Sequence, residues 1–313
     1  MAKKKKQTRK YRYRLGLRLL AAAAVVGALA LGFVFALKTP RPVVMSDKLQ
    51  VVAGENFWGD IAAQVGGERV HVTSIISDPN ADPHLYESNA QDAAAVAVAR
   101  LVVVNGLGYD DFMTKLLGTS GGAVRSVVTA AAVAGAGSDA NPHLWYNLGY
   151  VKKVAAEIEA RLATTDPAGA AVYATNLRQF DDSLAPVEAV ISRIKTKYAG
   201  APVAYTEPVP AYLLDAAGLT VETPAGFARS IEDGNDPSPA DSLAMEKLVT
   251  DRAVRVLLYN SQATSPVTQR LLDLARQSGV PVVGVTETLP KNEKNYQSWQ
   301  LDQATAIFNA LGK

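Results

Sequence analysis

The chain of 313 residues contains no cysteine. That absence excludes disulfides, thiolate metal sites and a lipid-modified cysteine, so any metal ligand must be imidazole or oxygen. Histidine is nearly as scarce, at three in the whole chain. Acidic residues are missing from positions 1–38, a stretch that holds ten of the 32 Lys and Arg residues. The other 22 basic and 30 acidic residues give the rest of the chain a net charge of −8, with no basic stripe for nucleic acid. Hydrophobic residues make up 48% and charged residues 20%, which suits a folded globular chain with some added apolar content. The length suggests two domains, each with its own core.

The added apolar content sits near the N-terminus. A basic run from Lys3 to Arg18 precedes nineteen uncharged residues, Leu19 to Leu37. A helix of that length roughly spans a hydrocarbon core. The basic flank places the start of the chain in the cytoplasm and everything after Lys38 outside. The length of the run favours an uncleaved signal-anchor over a cleaved signal peptide; the A-x-A site Ala28-Leu29-Ala30 lies inside it. Both readings export the globular part. Thr39-Pro40-Arg41-Pro42 reads as a short stiff tether.

Beyond the tether, β-rich runs alternate with helical patterns. Leu49–Ala53, Val70–Ile76, Leu101–Val104 and Ser126–Val128 read as strands, and so do Pro202–Tyr205, Leu219–Glu222, Val254–Tyr259 and Pro281–Val285. Helical patterns include Asp60–Val65, Gln91–Ala99 and Pro266–Gln277. The alternation predicts an α/β protein of two lobes with largely parallel sheets. Between the halves, about Ala168 to Tyr198, apolar residues recur at helical spacing from Val172 to Ile194, with Pro186 as a kink or join. This predicts a long, stiff connecting helix. Ser88-Asn89-Ala90-Gln91 and Ser238-Pro239-Ala240-Asp241 read as helix starts. The expected division is a tail, hydrophobic segment and tether at 1–45, a first lobe at 46–165, a linker helix at 166–199 and a second lobe at 200–313.

Two of the three histidines share one local design, Asp82-Pro83-His84-Leu85-Tyr86 and Asn141-Pro142-His143-Leu144-Trp145. The preceding proline fixes φ near −65° and stiffens the loop that presents the ring. Imidazole is the commonest metal ligand, so the pair suggests one shared ion. Two glutamates stand where ligands gather in α/β folds, just beyond strand ends: Thr206-Glu207-Pro208 and Thr286-Glu287-Thr288. His84, His143, Glu207 and Glu287 together make two nitrogens and two carboxylates, a set for a first-row divalent ion in a cleft between lobes. His71 has no matching context and reads as structural. The same donor types could serve a metallohydrolase. No H-E-x-x-H, nucleophile elbow or spare general base stands beside the four.

These motifs, with Gly54-Glu55-Asn56-Phe57-Trp58 and Asn105-Gly106-Leu107-Gly108-Tyr109, occur in one order from about Leu49 to Leu311. In that combination the chain resembles the zinc- and manganese-type solute-binding proteins of ABC transporters, a family of metal receptors that includes some surface adhesins. The resemblance implies two (β/α) lobes joined by a long helix, with the metal between them. It matches His84, His143, Glu207 and Glu287 to the four ligand positions. It implies an extracytoplasmic receptor, not an enzyme, whose partners are a membrane permease and its ATPase. An exported metal-dependent hydrolase and a metal-stabilised adhesin are the alternatives. Three departures stand out: no lipoprotein cysteine, no His-rich loop (Ala130–Gly137 takes its place), and Glu instead of Asp at the last ligand position. Two carboxylates make the set harder than a three-histidine site, which suits Mn²⁺ or Fe²⁺. Zn²⁺ still ranks above both in intrinsic affinity, so the choice between zinc and manganese stays open.

Overall fold

A computed structural model describes residues 48–78, 86–120 and 124–313. The N-terminal apolar run and its basic flank therefore lie outside the described residues. Among those described, no helix is long and apolar enough to cross a membrane.

The first lobe runs β1 (Leu49–Glu55), α1 (Asn56–Gly66), β2 (Val70–Ile76), α2 (Ala90–Val98), β3 (Leu101–Val104), α3 (Asp111–Thr119), β4 (Ser126–Thr129), α4 (Ala130–Ala134) and α5 (Leu148–Thr165). Two helices follow, α6 (Ala170–Ser183) and α7 (Ala185–Tyr198). The second lobe runs β5 (Pro202–Tyr205), α8 (Ala211–Ala216), β6 (Thr220–Val221), α9 (Ala225–Glu232), α10 (Pro239–Thr250), β7 (Leu257–Asn260), α11 (Pro266–Ser278), β8 (Val282–Val285) and α12 (Tyr296–Leu311).

Every strand pair is parallel, and both sheets have the same order, β2-β1-β3-β4 and β6-β5-β7-β8. The strands are short and apolar because helices cover both faces, so no alternation with polar residues is needed. Leu101–Val104 is buried at every position. In each sheet the strand order reverses beside the first strand, between β1 and β3 and between β5 and β7. The crevice beyond the carboxyl ends at such a switch point is where α/β sheets bind ligands.

The lobes are not independent bodies. One apolar core runs from Val51 and Val103 through Leu184, Val187 and Ile194 of the connector to Val203, Leu258 and Val283. The C-terminal helix α12 packs on α7, on β8 and on α1 of the first lobe. A smaller apolar cluster lies on the outer face of each sheet.

Several expectations shift in detail. The connector is two helices, with the break at Leu184. Pro186 has no N–H to donate and sits in the first turn of α7, where none is needed, in place of continuing α6. Its buried face is Phe180, Leu184, Val187, Val190, Ile191 and Ile194, whereas Val172 is 45% exposed. The α2 cap is Asn89, whose side chain accepts from Gln91 and Asp92 N–H while the Asp92 carboxylate accepts from Asn89 N–H. Ser238 caps α10, with Pro239 following it. His71 is exposed on the edge strand β2. Ala130–Ala134 forms a short helix that ends on Gly135 at φ 71°.

Gly66 closes α1 against Val70, and a Cβ there would lie 2.4 Å from both Val70 methyls. Valine is stiff at χ1 and cannot turn away. Gly66→Ala should therefore lower stability by about 1–2 kcal/mol in urea denaturation, overpacking outweighing alanine's better helix propensity. A neutral or stabilising result would show that β2 moves aside at little cost.

Candidate metal site

His143, Glu207 and Glu287 are buried at 1%, 5% and 6% exposure; Glu207 and Glu287 lie two residues beyond the ends of β5 and β8, and His143 lies in the loop between α4 and α5. His84 lies outside the described residues. Among the described residues, no group of three His, Cys, Asp or Glu is drawn together tightly enough to hold a metal ion. The three buried ligand candidates are nevertheless linked. His143 Nε2 lies 3.9 Å from Glu287 Oε2. Asn260 Nδ2 donates to Glu207 Oε2 at 2.9 Å and also to Glu287 Oε1. The Asn260 amide thus bridges two carboxylates of like charge and supplies both with a proton donor.

The histidine is fixed in tautomer by its neighbour. Asn141 Oδ1 accepts the His143 backbone N–H at 3.0 Å, and a backbone N–H can only donate, so the atom facing it is oxygen. The same oxygen lies 2.6 Å from His143 Nδ1. That contact puts the ring proton on Nδ1 and the lone pair on Nε2, the nitrogen facing Glu287. Metal-ligating histidines are commonly oriented this way. Asn141 Nδ2 donates in turn to Pro208 O at 2.7 Å, tying the His143 loop to the Glu207 loop. Glu232 Oε1 stands 3.9 Å from His143 Nδ1 on the other side of the ring. Burial pushes the Glu232 carboxyl up to about 7, helped by Asp233 and opposed by Arg229.

The walls are aromatic on the first-lobe side. Trp145 stacks on Phe57 with centroids 4.2 Å apart and meets the His143 ring edge-on at 5.2 Å. Tyr109 comes from the Asn105–Tyr109 loop, where Gly106, Leu107 and Gly108 have φ values of 83°, 58° and 78°. Leucine at positive φ is strained by about 1–3 kcal/mol. The Asp110 carboxylate holds this turn by accepting the Asn105 and Gly106 amides at 2.6 and 2.8 Å. The turn delivers the Tyr109 hydroxyl to Glu287 Oε2 at 3.0 Å. On the other side, Gln262 Oε1 accepts the backbone N–H groups of Glu287 and Thr288 at 2.7 and 3.0 Å.

Glu207 and Glu287 also line an open cleft of about 810 Å³. Glu232, Asp233 and Asp236 join them, and its lining residues include no lysine or arginine. Such a wall of one sign focuses field and raises the local concentration of cations.

Asn260, Tyr109, Gln262 and Glu232 were not legible as site residues from sequence. One signal was available for Asn260. It ends β7, the strand between those that lead to Glu207 and Glu287, so three neighbouring strands each deliver a polar residue at their carboxyl ends, Asn260 level with Glu207 and Glu287 two residues beyond.

Comparison with known proteins places the chain. Residues 51–310 match the family model described as zinc-uptake complex component A, periplasmic. A putative metal-binding protein of Treponema pallidum (strain Nichols) is 25% identical over 93% of this chain and 96% of its own. The manganese-binding lipoprotein MntA of Bacillus subtilis (strain 168) is 30% identical over 44% of this chain and 47% of its own. Among solved structures, FpvC from Pseudomonas aeruginosa in complex with Mn²⁺ superposes with a TM-score of 0.72 at 22% identity, covering 85% of this chain and 98% of that one. The periplasmic zinc-binding protein TroA of Treponema pallidum gives 0.71 at 18% identity, covering 84% and 99%. At these identities the superpositions establish the two-lobed fold.

Proposed function

The chain belongs to the periplasmic zinc-uptake complex component A family and is a solute-binding protein for transition-metal ABC transport; from that premise we propose that it takes up one Mn²⁺ or Zn²⁺ through His84, His143, Glu207 and Glu287. The observation that supports this site is the buried junction of His143 with Glu287, and of Glu287 with Glu207 through Asn260, at the facing ends of the two sheets. Two neutral imidazoles and two carboxylates would cancel the charge of a dication, which makes a nearly buried ion tolerable. Carboxylates that bind through one or two oxygens favour Mn²⁺ or Fe²⁺, while Zn²⁺ gains from its place in the Irving–Williams order.

In this reading the metal is cargo and no catalytic step follows. Residues 46–165 and 200–313 act as lobes giving two ligands each, with 166–199 as the linker. Residues 1–45 anchor the protein to the outer face of the membrane in place of a lipidated cysteine. The partners are a permease and its ATPase.

The test is metal content by mass spectrometry on the untagged full-length chain beside the double variant His84→Ala/His143→Ala. One equivalent of Mn, Zn or Fe in the parent and none in the variant is the expected result. A parent that takes up none of these ions when exposed to each in turn would remove the site.

A further inference from the structure

The loop that carries Glu287 leaves a second-lobe strand and is held there by Gln262, Asn260, Gln303 and Trp299, yet it is also bonded across to the first lobe. The Tyr146 hydroxyl donates to Thr286 O at 2.7 Å, and the Tyr109 hydroxyl to Glu287 Oε2 at 3.0 Å. Two residues on, Asn56 at the start of α1 makes a double contact with one backbone unit. Its Nδ2 donates to Leu289 O at 2.8 Å, and its Oδ1 accepts Leu289 N–H at 2.9 Å. Further along, Asp60 accepts the Tyr296 N–H at 2.9 Å and Gln64 pairs with Gln297. One face of α1 thus stitches the segment from Leu289 to Gln297 to the first lobe.

The Asn56 contact differs in kind from the others. A single hydrogen bond fixes a distance, whereas a side-chain amide that both donates to and accepts from one residue also fixes its rotation. Asn56 acts on Leu289 as a neighbouring strand would, and Leu289 is close enough to Glu287 to set where that carboxylate points.

We propose that Asn56 is a positioning residue that clamps the Glu287 loop to the first lobe and thereby sets the rate at which bound metal leaves. The proposal rests on the metal-receptor reading of Glu287. With the clamp intact, Glu287 stays beside His143. Without it, only the single bonds of Tyr109 and Tyr146 tie the loop to the first lobe, while Gln262, Asn260 and Gln303 still hold it to the second.

The experiment is stopped-flow release of Mn²⁺ and of Zn²⁺ to a chelator from the full-length chain. Asn56→Ala should release metal roughly tenfold faster, the scale of one to two net hydrogen bonds, with the on-rate within about twofold. Asn56→Asp keeps the acceptor and loses the donor, and should fall between Asn56→Ala and the parent. Asn176→Ala is the control for a merely structural effect, because Asn176 Nδ2 donates to Val65 O at 3.0 Å and anchors the far end of α1. It should leave release unchanged. Release from Asn56→Ala within about twofold of the parent, or equal acceleration in Asn176→Ala, would overturn the clamp, since neither matches the scale of the lost bonds. Should Asn56→Ala fail to fold, the same criterion applies to Asn56→Asp. A parent that binds neither ion would instead sink the metal reading and the clamp with it.

Discussion

Glu287→Gln is expected to lower the affinity for Mn²⁺ or Zn²⁺ by more than about 100-fold, beyond the 10–100-fold usual for groups that only orient a ligand. The side chain keeps its length and shape, so packing beneath the cleft changes little. What is lost is one of the two carboxylate charges proposed to neutralise the ion, in a place where solvent cannot replace it: Glu287 is 6% exposed. Asn141→Ala provides the scale for comparison. It removes the oxygen that sets the His143 proton on Nδ1, and a drop of about 10–100-fold is expected. Both are read by competition titration with a chelator, alongside circular dichroism to establish folding. If Glu287→Gln loses less affinity than Asn141→Ala, Glu287 is a supporting residue, and the fourth ligand must be sought among the other carboxylates of the cleft.

Much of this arrangement can be traced to sequence because its parts are local. A run such as Leu101–Val104, apolar at every position, permits little besides a buried strand once turns bound it on both sides. Glu207 and Glu287 could be picked out because each follows such a run directly. The features that escaped depend on register between distant strands. Asn260 becomes a bridge only because β7 lies between β5 and β8. Asn56 and Leu289 are 233 positions apart, and an asparagine at the start of a helix looks like any other helix start. The break at Leu184 was half legible: Pro186 marked its place, but whether the chain kinks or restarts depends on what packs beneath. Within the helix start Ser88–Gln91 the cap falls on Asn89 for a similar reason, since either Ser88 or Asn89 could serve and the backbone path decides between them.

The equal strand orders expose a second correspondence. Continuing the β5–β7 register two residues beyond Tyr205 and Leu258 sets Glu207 opposite Asn260. Continuing β1–β3 two residues beyond Ala53 and Val103 sets Glu55 opposite Asn105. Each lobe thus carries a Glu–Asn pair at its switch point, but the two pairs are wired differently. Asn260 donates to its glutamate. Asn105 instead accepts from Trp58 Nε1 at 3.1 Å and donates to Gly106 O and Pro142 O. Glu55 is left fully buried, and neither of its carboxyl oxygens makes a hydrogen bond among the described residues. The first lobe has used its asparagine to hold the loop that leads into His143, and its glutamate stays behind in the core.

That wiring gives stability a pH dependence with a definite sign. Burial, and then the nearby Asp110, push the Glu55 carboxyl well above the usual range. In the unfolded chain the same group titrates at about 4.3. Above that pH the unfolded chain gives up a proton that the folded chain keeps. Stability from this group is therefore full at low pH and falls as pH rises, by about 1.4 kcal/mol per pH unit, until the folded carboxyl itself ionises. Glu55→Gln cannot titrate, so whatever constant cost or gain its amide brings is the same at every pH. The difference in urea stability between Glu55→Gln and the parent should grow in favour of the variant as pH rises from about 5, until the folded carboxyl ionises. Asp60 and Asp110 are also raised by burial, and their common contribution cancels in that difference. Parallel stability curves for parent and variant would mean that Glu55 is ionised in the folded protein and compensated by a partner outside the described residues. A widening gap would identify it as a neutral acid held in the core, making the first lobe less stable as the medium turns alkaline.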